Sequence, residues 1–141
     1  MTTVNFKITI AAPREKVWDV LWNDATYPTW TAVWTEGSHA VSDWREGSKI
    51  LFLDPDGSGM FSEIVQKTSG ETMIFKHLGE VKNGLELPES DWSGALERYF
   101  LTETDGATEL KVSLDATAEF AEFFSNTFPK ALLLVKQLAE N

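Results

Sequence analysis

The chain has 141 residues, a length typical of one domain with its own hydrophobic core, so we predict a single domain over residues 1–141. It contains no cysteine, which excludes disulfide scaffolds, iron–sulfur clusters and thiolate zinc sites. Its formal net charge of −10, with scattered Lys and Arg residues, excludes a protein that holds nucleic acid through its phosphates.

The N-terminal part of the sequence predicts one strand and two short helices. Phe6, Ile8 and Ile10 alternate with polar neighbours, which is the two-residue period of a half-buried strand. Pro13 and Pro28 each stand where a helix is expected to begin, because proline suits the first helical position.

The segment from residue 37 to about 117 predicts strands joined by tight turns. The strongest turn signals are an Asp-Gly pair at 105–106, an Asn-Gly pair at 83–84 and the segment DPDGSG at 54–59. Successive hairpins make an antiparallel meander of about six strands the simplest topology. Both alternating sets of residues in the strand at 49–54 are apolar, so its inward face stays open.

The C-terminal segment predicts one long amphipathic helix against which the sheet packs. Pro129 lies within this helix and lacks a backbone N–H, so we expect it to kink the helix or to split it in two. The apolar residues recur at steps of three and four: Phe120, Phe124, Phe128, Ala131, Val135 and Leu138.

Motifs for metal binding and nucleophilic catalysis are missing from the sequence. The two histidines, His39 and His77, lack the spacing of metal ligands. The segment from Asp54 begins like a calcium loop, but Val65 stands where a bidentate Glu is required. There is no G-x-S-x-G motif and no phosphate loop. We therefore predict no catalytic residue set, no metal and no cofactor.

Two polar side chains are candidate handles for a ligand. His77 alternates with Phe75, while Lys76 points to the opposite side, so His77 is expected to face inward. It is either a core histidine bonded to a neighbour or a polar group in a cavity that can change charge near neutral pH. Tyr99, on the next strand, is the second candidate, and the orientations of Glu97 and Arg98 beside it stay open.

The long loop at 83–94 is a candidate lid. It mixes Leu85, Leu87 and Trp92 with acidic residues, and apolar anchors in a long loop indicate a segment that packs onto something. A structural plug and a ligand gate are equally compatible with this composition.

Several segments resemble the SRPBCC (START-like, helix-grip) superfamily. They are ITIAAPREKVWDVLWND near the start, WREGSKILF in the middle and GATELKVSLD before the last helix. The resemblance is strongest to the branch of heat-shock-protein-90 ATPase activator homologues, and MIFKHLGEVKNGLE is similar to a subgroup of small bacterial members. It covers nearly the whole chain.

This resemblance implies an α+β helix-grip fold. A curved antiparallel sheet of six to seven strands would wrap around the C-terminal helix, with two short helices after strand 1. Members keep an elongated apolar cavity between sheet and helix. They bind lipids, hormones or polyketide-like molecules, some are cyclases or hydrolases, and the named branch includes co-chaperones. They share no common catalytic set.

Five of the six tryptophans lie between residues 18 and 44. We expect Trp18 and Trp22 to pack the first helix on the sheet, Trp30 and Trp34 to close one end of the cavity, and Trp44 to lie in a turn. Trp30→Ala should then weaken ligand binding more than stability, and Trp18→Ala the reverse. The predicted ligand-binding residues are Trp30, Trp34, Phe75, His77, Trp92, Tyr99, Phe120, Phe124 and Phe128.

The leading prediction for function is binding of a small hydrophobic or aromatic ligand, lipid- or polyketide-like, in this apolar cavity. One alternative is a cyclase- or isomerase-like enzyme with His77 and Tyr99 as acid–base groups. The other is a co-chaperone that stimulates a heat-shock chaperone ATPase. The tryptophan cluster could also form a homodimer interface. We expect a cytoplasmic protein, because the sequence has no signal peptide and no apolar run long enough for a membrane span, and no nucleic-acid partner.

Overall fold

The computed structural model describes residues 1–87 and 90–141 and has an α+β architecture. Pro88 and Glu89, within the loop expected at 83–94, lie outside the described residues. The elements follow in chain order: β1 (Thr2–Ile10), α1 (Arg14–Trp22), α2 (Tyr27–Thr31), β2 (His39–Val41), β3 (Lys49–Leu53), β4 (Gly59–Thr68), β5 (Thr72–Lys82), β6 (Leu85–Leu87), β7 (Leu96–Thr104), β8 (Ala107–Ala116) and α3 (Ala118–Glu140).

In the described part of the chain the strands form one antiparallel sheet of eight. Their order is β1-β8-β7-β5-β4-β3-β2, with β6 paired to β5 outside this path. The count exceeds the expected six to seven because the short strand β6 forms within the segment expected to be a loop. The long helix α3 packs against β1 and α1, so the helix-grip architecture is confirmed.

Two hairpin turns form where the sequence predicts them. Asn83 and Asp105 have φ values of 51° and 53°, and the glycine after each also has a positive φ. A two-residue hairpin turn of this kind needs left-handed backbone at both central positions, which Asn-Gly and Asp-Gly tolerate best. The second turn sets the register of β7 on β8, in which Thr104 pairs with Ala107.

The helix α3 is continuous from Ala118 to Glu140, so the expected split at Pro129 is wrong. Pro129 is exposed, whereas Phe128 before it and Ala131 two residues after it are buried. Packing of the inner face therefore holds the helix together across the missing N–H bond. The first turns of α3 are less covered, because Phe120 and Phe123 remain 42% and 47% exposed.

The tryptophans of α1 and the first loops join the core as expected. Trp22 is buried, with Trp18 and Trp44 packed partly buried against the same cluster. Trp44 has a left-handed φ of 61° in its turn and approaches Trp22 at 5.8 Å between ring centroids. The inward face of the strand at 49–54, which the sequence left open, is the one that carries Ile50 and Phe52. Ile50 is fully buried, and Phe52 packs on Phe75.

Asp115 on β8 joins three strands through its carboxylate. It accepts hydrogen bonds from the backbone N–H of Leu96 and from Thr3 Oγ1, each at 3.1 Å. The guanidinium of Arg98 donates to both carboxylate oxygens at 3.2 Å. Burial acts to raise the pKa of Asp115, but these donors together hold that pKa below its ordinary value.

Asp115→Asn is expected to remove a pH-dependent part of the stability. Because the folded pKa lies below the unfolded value of about 3.9, this part is fully present above that pH and is lost as pH falls through the folded pKa. Urea denaturation should therefore show a smaller difference between wild type and variant at about pH 3 than at neutral pH. Asp24→Asn, at an exposed carboxylate, serves as the control. Equal losses for Asp115→Asn at both pH values would contradict this linkage.

Candidate functional site

A cavity of about 420 Å³ lies between the sheet, α2 and the first half of α3. This volume falls within the range of small-molecule sites. Phe52, Met60 and Leu114 line it from the sheet, and Tyr27 lines it from α2. Phe120, which is partly exposed, lies where the cavity meets solvent.

The structure brings most of the predicted ligand-binding residues to this one cavity. Their side chains come from α2, from β5 and β7, from the segment before β7 and from α3. Those on the lining are Trp30, Trp34, His77, Trp92, Tyr99, Phe120, Phe124 and Phe128. The remaining one, Phe75, is fully buried behind the wall and supports Phe52 and Tyr99, with ring centroids 5.1 Å and 6.3 Å away.

The candidate lid contributes less to the cavity than its composition indicates. Leu85 and Leu87, expected as apolar anchors, lie on β6 and are 69% and 42% exposed, so that expectation is wrong for both. A three-residue strand at the sheet edge turns them to solvent. Trp92, in the turn before β7, does line the cavity.

A chain of hydrogen bonds centred on Glu97 forms the polar part of the site. His77 Nε2 lies 2.9 Å from Glu97 Oε1, and the Tyr99 hydroxyl donates to Glu97 Oε2. On the other side of the imidazole, His77 Nδ1 lies 2.6 Å from Ser62 Oγ. The chain thus crosses β4, β5 and β7, and it brings together the two handles predicted from the sequence.

The partners fix the roles of the imidazole nitrogens. A carboxylate only accepts hydrogen bonds, so His77 Nε2 carries a proton and donates to Glu97. In the neutral ring, Nδ1 then accepts from the Ser62 hydroxyl. Ser62 is fully buried and does not line the cavity, so it orients the ring and is not placed to attack a ligand.

The sequence left the orientation of Glu97 open and did not point to Ser62, for different reasons. Glu97 precedes Tyr99 by two residues on a regular strand, so an inward Tyr99 requires an inward Glu97, and this signal was available. Ser62 follows an irregularity in the pairing of β4 with β5, and both Phe61 and Ser62 are buried there. A bulge breaks the two-residue alternation, so periodicity could not have found Ser62.

Both tyrosines of the cavity remain neutral hydroxyls at physiological pH. Burial raises the pKa of Tyr99 well above its usual value, and the charge of Glu97 and the hydrogen bond to it raise that pKa further. Burial, and then the charge of Glu97, likewise raise the pKa of Tyr27 far above its usual value. Tyr99 is therefore a hydrogen-bond donor in this site, and it is not a base.

Trp34 offers a second polar contact on the cavity wall. Its indole N–H is buried and has no hydrogen-bond partner among the described residues. The indole N–H of Trp22 is also buried and has no partner among the described residues, but Trp22 does not line the cavity. Leaving a buried donor unpaired costs about 1–3 kcal/mol, and a ligand acceptor would recover this only if the Trp34 ring turned its N–H toward the cavity.

The described residues contain neither a cluster of metal ligands nor a helix suited to a membrane. In residues 1–87 and 90–141, no group of three His, Cys, Asp or Glu side chains is placed to hold a metal ion. Over the same ranges, no helix is both long and apolar enough to cross a membrane.

Comparison with known proteins identifies relatives only at the level of the fold. No protein-family model and no curated protein sequence matches the chain. Among solved structures, the Aha1 dimer of Colwellia psychrerythraea is 24% identical, with a TM-score of 0.77 and coverage of 99% of this chain and 97% of that one. Protein MLL2253 of Mesorhizobium loti is 15% identical, with a TM-score of 0.75 and coverage of 97% and 96%.

A third structure, CalU16 of Micromonospora echinospora, is 14% identical, with a TM-score of 0.66 and coverage of 97% of this chain and 75% of that one. At these identities the likeness establishes a shared fold alone. The chain has the helix-grip fold, as the sequence resemblance implied.

Proposed function

We propose that this helix-grip chain binds a small hydrophobic or aromatic molecule, lipid- or polyketide-like, in the cavity between its sheet, α2 and α3. The observation that supports this proposal is a cavity of about 420 Å³ that combines nine Phe, Tyr and Trp residues with a hydrogen-bonded polar cluster on Glu97. Ordinary ligand pockets combine apolar walls with a few placed polar groups in this way.

The aromatic residues of the cavity wall fall into a buried group and a partly exposed group. Trp30 and Phe128 are fully packed without a ligand, so they serve the core as well as the wall. Phe120, Phe124 and Trp92 keep part of their surface uncovered. A bound apolar molecule would remove that surface from water, at about 25 cal/mol for each Å² covered, and this supplies the driving force for binding.

Neighbouring phenylalanines on α3 provide a matched test of this proposal. Phe124 lines the cavity, whereas Phe123 is 47% exposed and does not line it. After a thermal-shift and native mass-spectrometry screen of lipids, aromatics and polyketide-like molecules, Phe124→Ala should weaken binding of the best ligand about tenfold or more. Phe123→Ala should leave the affinity unchanged.

Two results would contradict the binding proposal. Equal affinity in Phe124→Ala and Phe123→Ala would place the ligand outside the cavity. The absence of any thermal shift or bound mass across all three ligand classes would remove the proposed function itself.

The second candidate function is the cyclase- or isomerase-like enzyme, and one observation favours it. His77 and Tyr99 share the carboxylate of Glu97, so an acid and a base converge on the cavity. Tyr99 would donate a proton, and the His77–Glu97 pair would accept one. In an incubation followed by chromatography and mass spectrometry, which together separate isomers of equal mass, Tyr99→Phe should keep ligand binding and lose conversion. If the wild type returns the ligand unchanged, the enzyme hypothesis is rejected and binding remains the proposed function.

The co-chaperone and homodimer alternatives stay predictions. The Aha1 likeness is one of fold, at 24% identity, and nothing in the described residues points to a chaperone surface. The co-chaperone alternative is tested by measuring the ATPase rate of the chaperone at saturating concentrations of this protein. Sedimentation at several concentrations tests the homodimer alternative. The cytoplasmic location also stays a prediction.

A further inference from the structure

The charged groups on the cavity wall are almost all acidic. The lining includes four carboxylates, those of Asp54, Glu80, Glu97 and Asp115, and among its described residues there is no Lys or Arg. Asp115 is neutralised from outside the lining by Arg98. Three carboxylates remain, and His77 in its charged form would offset only one of them. The wall therefore carries net negative charge in either protonation state of His77.

Glu97 is a largely buried carboxylate of the lining that has no cationic Lys or Arg partner among the described residues. Its side chain is 18% exposed. His77 and Tyr99 each supply one hydrogen bond, one to each oxygen. A carboxylate has about four acceptor sites, so Glu97 can accept further bonds from a ligand donor.

The aromatic wall complements a positive charge in the same place. Trp34, Trp92 and Phe124 line the cavity and keep part of their surface uncovered. The faces of such rings attract cations by roughly 0.5–2 kcal/mol, the higher value applying where water is excluded. An anionic ligand group would lose its hydration there and would meet carboxylates and no Lys or Arg.

We propose that the cavity selects apolar ligands that end in a protonated amine, whose N–H groups donate to Glu97, and discriminates against ligands that end in a carboxylate. This inference rests on the proposed function and specifies its ligand class. The raised pKa values of Tyr27 and Tyr99 are consistent with it, because the negative charge of Glu97 contributes to both shifts, after burial.

Three probes of matched shape test the proposal at neutral pH. Naphthylethylamine, naphthylethanol and naphthylacetate share the ring and side-chain length and differ in their terminal group. Isothermal titration should show the amine binding about tenfold or more tighter than the acetate, with the alcohol between them. Glu97→Gln, which keeps the shape of the side chain, should reduce that ratio to about threefold or less.

The wild-type order of the probes tests the inference even if Glu97→Gln fails to fold, which its thermal melt would show. An acetate or alcohol that binds as tightly as the amine overturns the ligand class and leaves cavity binding in place. An amine preference that survives in folded Glu97→Gln overturns the role of Glu97. If no probe binds while the broader screen yields a ligand, this inference falls and the proposed function stands.

Discussion

Replacing Trp30 with alanine is expected to lower the free energy of unfolding by about 3–5 kcal/mol. Trp30 is 1% exposed, and its indole N–H donates to the Leu21 carbonyl at 3.1 Å. Its ring also meets Trp22 and Tyr27 edge-on, with centroids 6.3 Å and 5.4 Å away. The substitution would leave a cavity at the contact of α1 with α2, and urea denaturation measures the loss.

Trp18→Ala is the matched control for this measurement. Trp18 is half-buried, and its one close aromatic partner among the described residues is Trp22. We therefore expect Trp30→Ala to cost more stability than Trp18→Ala. The sequence predicted only that Trp30→Ala would weaken ligand binding more than stability and Trp18→Ala the reverse, and the burial of Trp30 now adds a large stability cost. A smaller loss for Trp30→Ala would show that α2 is not held in the core.

Gly59→Ala is expected to destabilise the fold by about 3 kcal/mol or more. A β-carbon built at Gly59 would lie 1.8 Å from the carbonyl oxygen of Phe52. Gly59 pairs with Leu53 on one side and with Val81 on the other, so β4 cannot move away without breaking a ladder. Both Phe52 and Gly59 line the cavity, so the variant should also lose affinity for the cavity ligand.

Gly57→Ala, in the turn between β3 and β4, is the control for the general cost of replacing a glycine. Gly57 has a φ of +80°, and a β-carbon there would meet no atom within 4 Å. Its replacement should cost only the left-handed strain, about 1–2 kcal/mol. Thermal melts of both variants give the comparison. Equal losses would mean that the clash with Phe52 is relieved by a small backbone shift.

The strand and turn pattern could be predicted because it depends on neighbours in sequence. The alternation in β1 and the Asp-Gly turn at Asp105 are local signals, and the structure bears out both. Pro129 shows the limit of such signals. Its local effect is to break a helix, but burial of Phe128 and Ala131 outweighs it.

The candidate site could be predicted only in part, because it depends on contacts between strands. An inward His77 follows from its own strand, and the inward face of β5 carries it as expected. The bond from His77 to Glu97 depends on how β5 and β7 are placed side by side. The bond to Ser62 depends on a bulge in β4. Neither the register nor the bulge can be read from a single strand.

The pairing of β1 with β8 has a consequence for how fast the protein folds. Thr3 and Asp115 on these strands are hydrogen-bonded, although 112 residues separate them along the chain. Such long-range pairing requires a large loop to close before the contacts between β1 and β8 are gained. This favours slow folding, in milliseconds to seconds. Until that closure, β8 exposes an unpaired edge on which another copy could add a strand. Refolding yield should therefore fall as protein concentration rises.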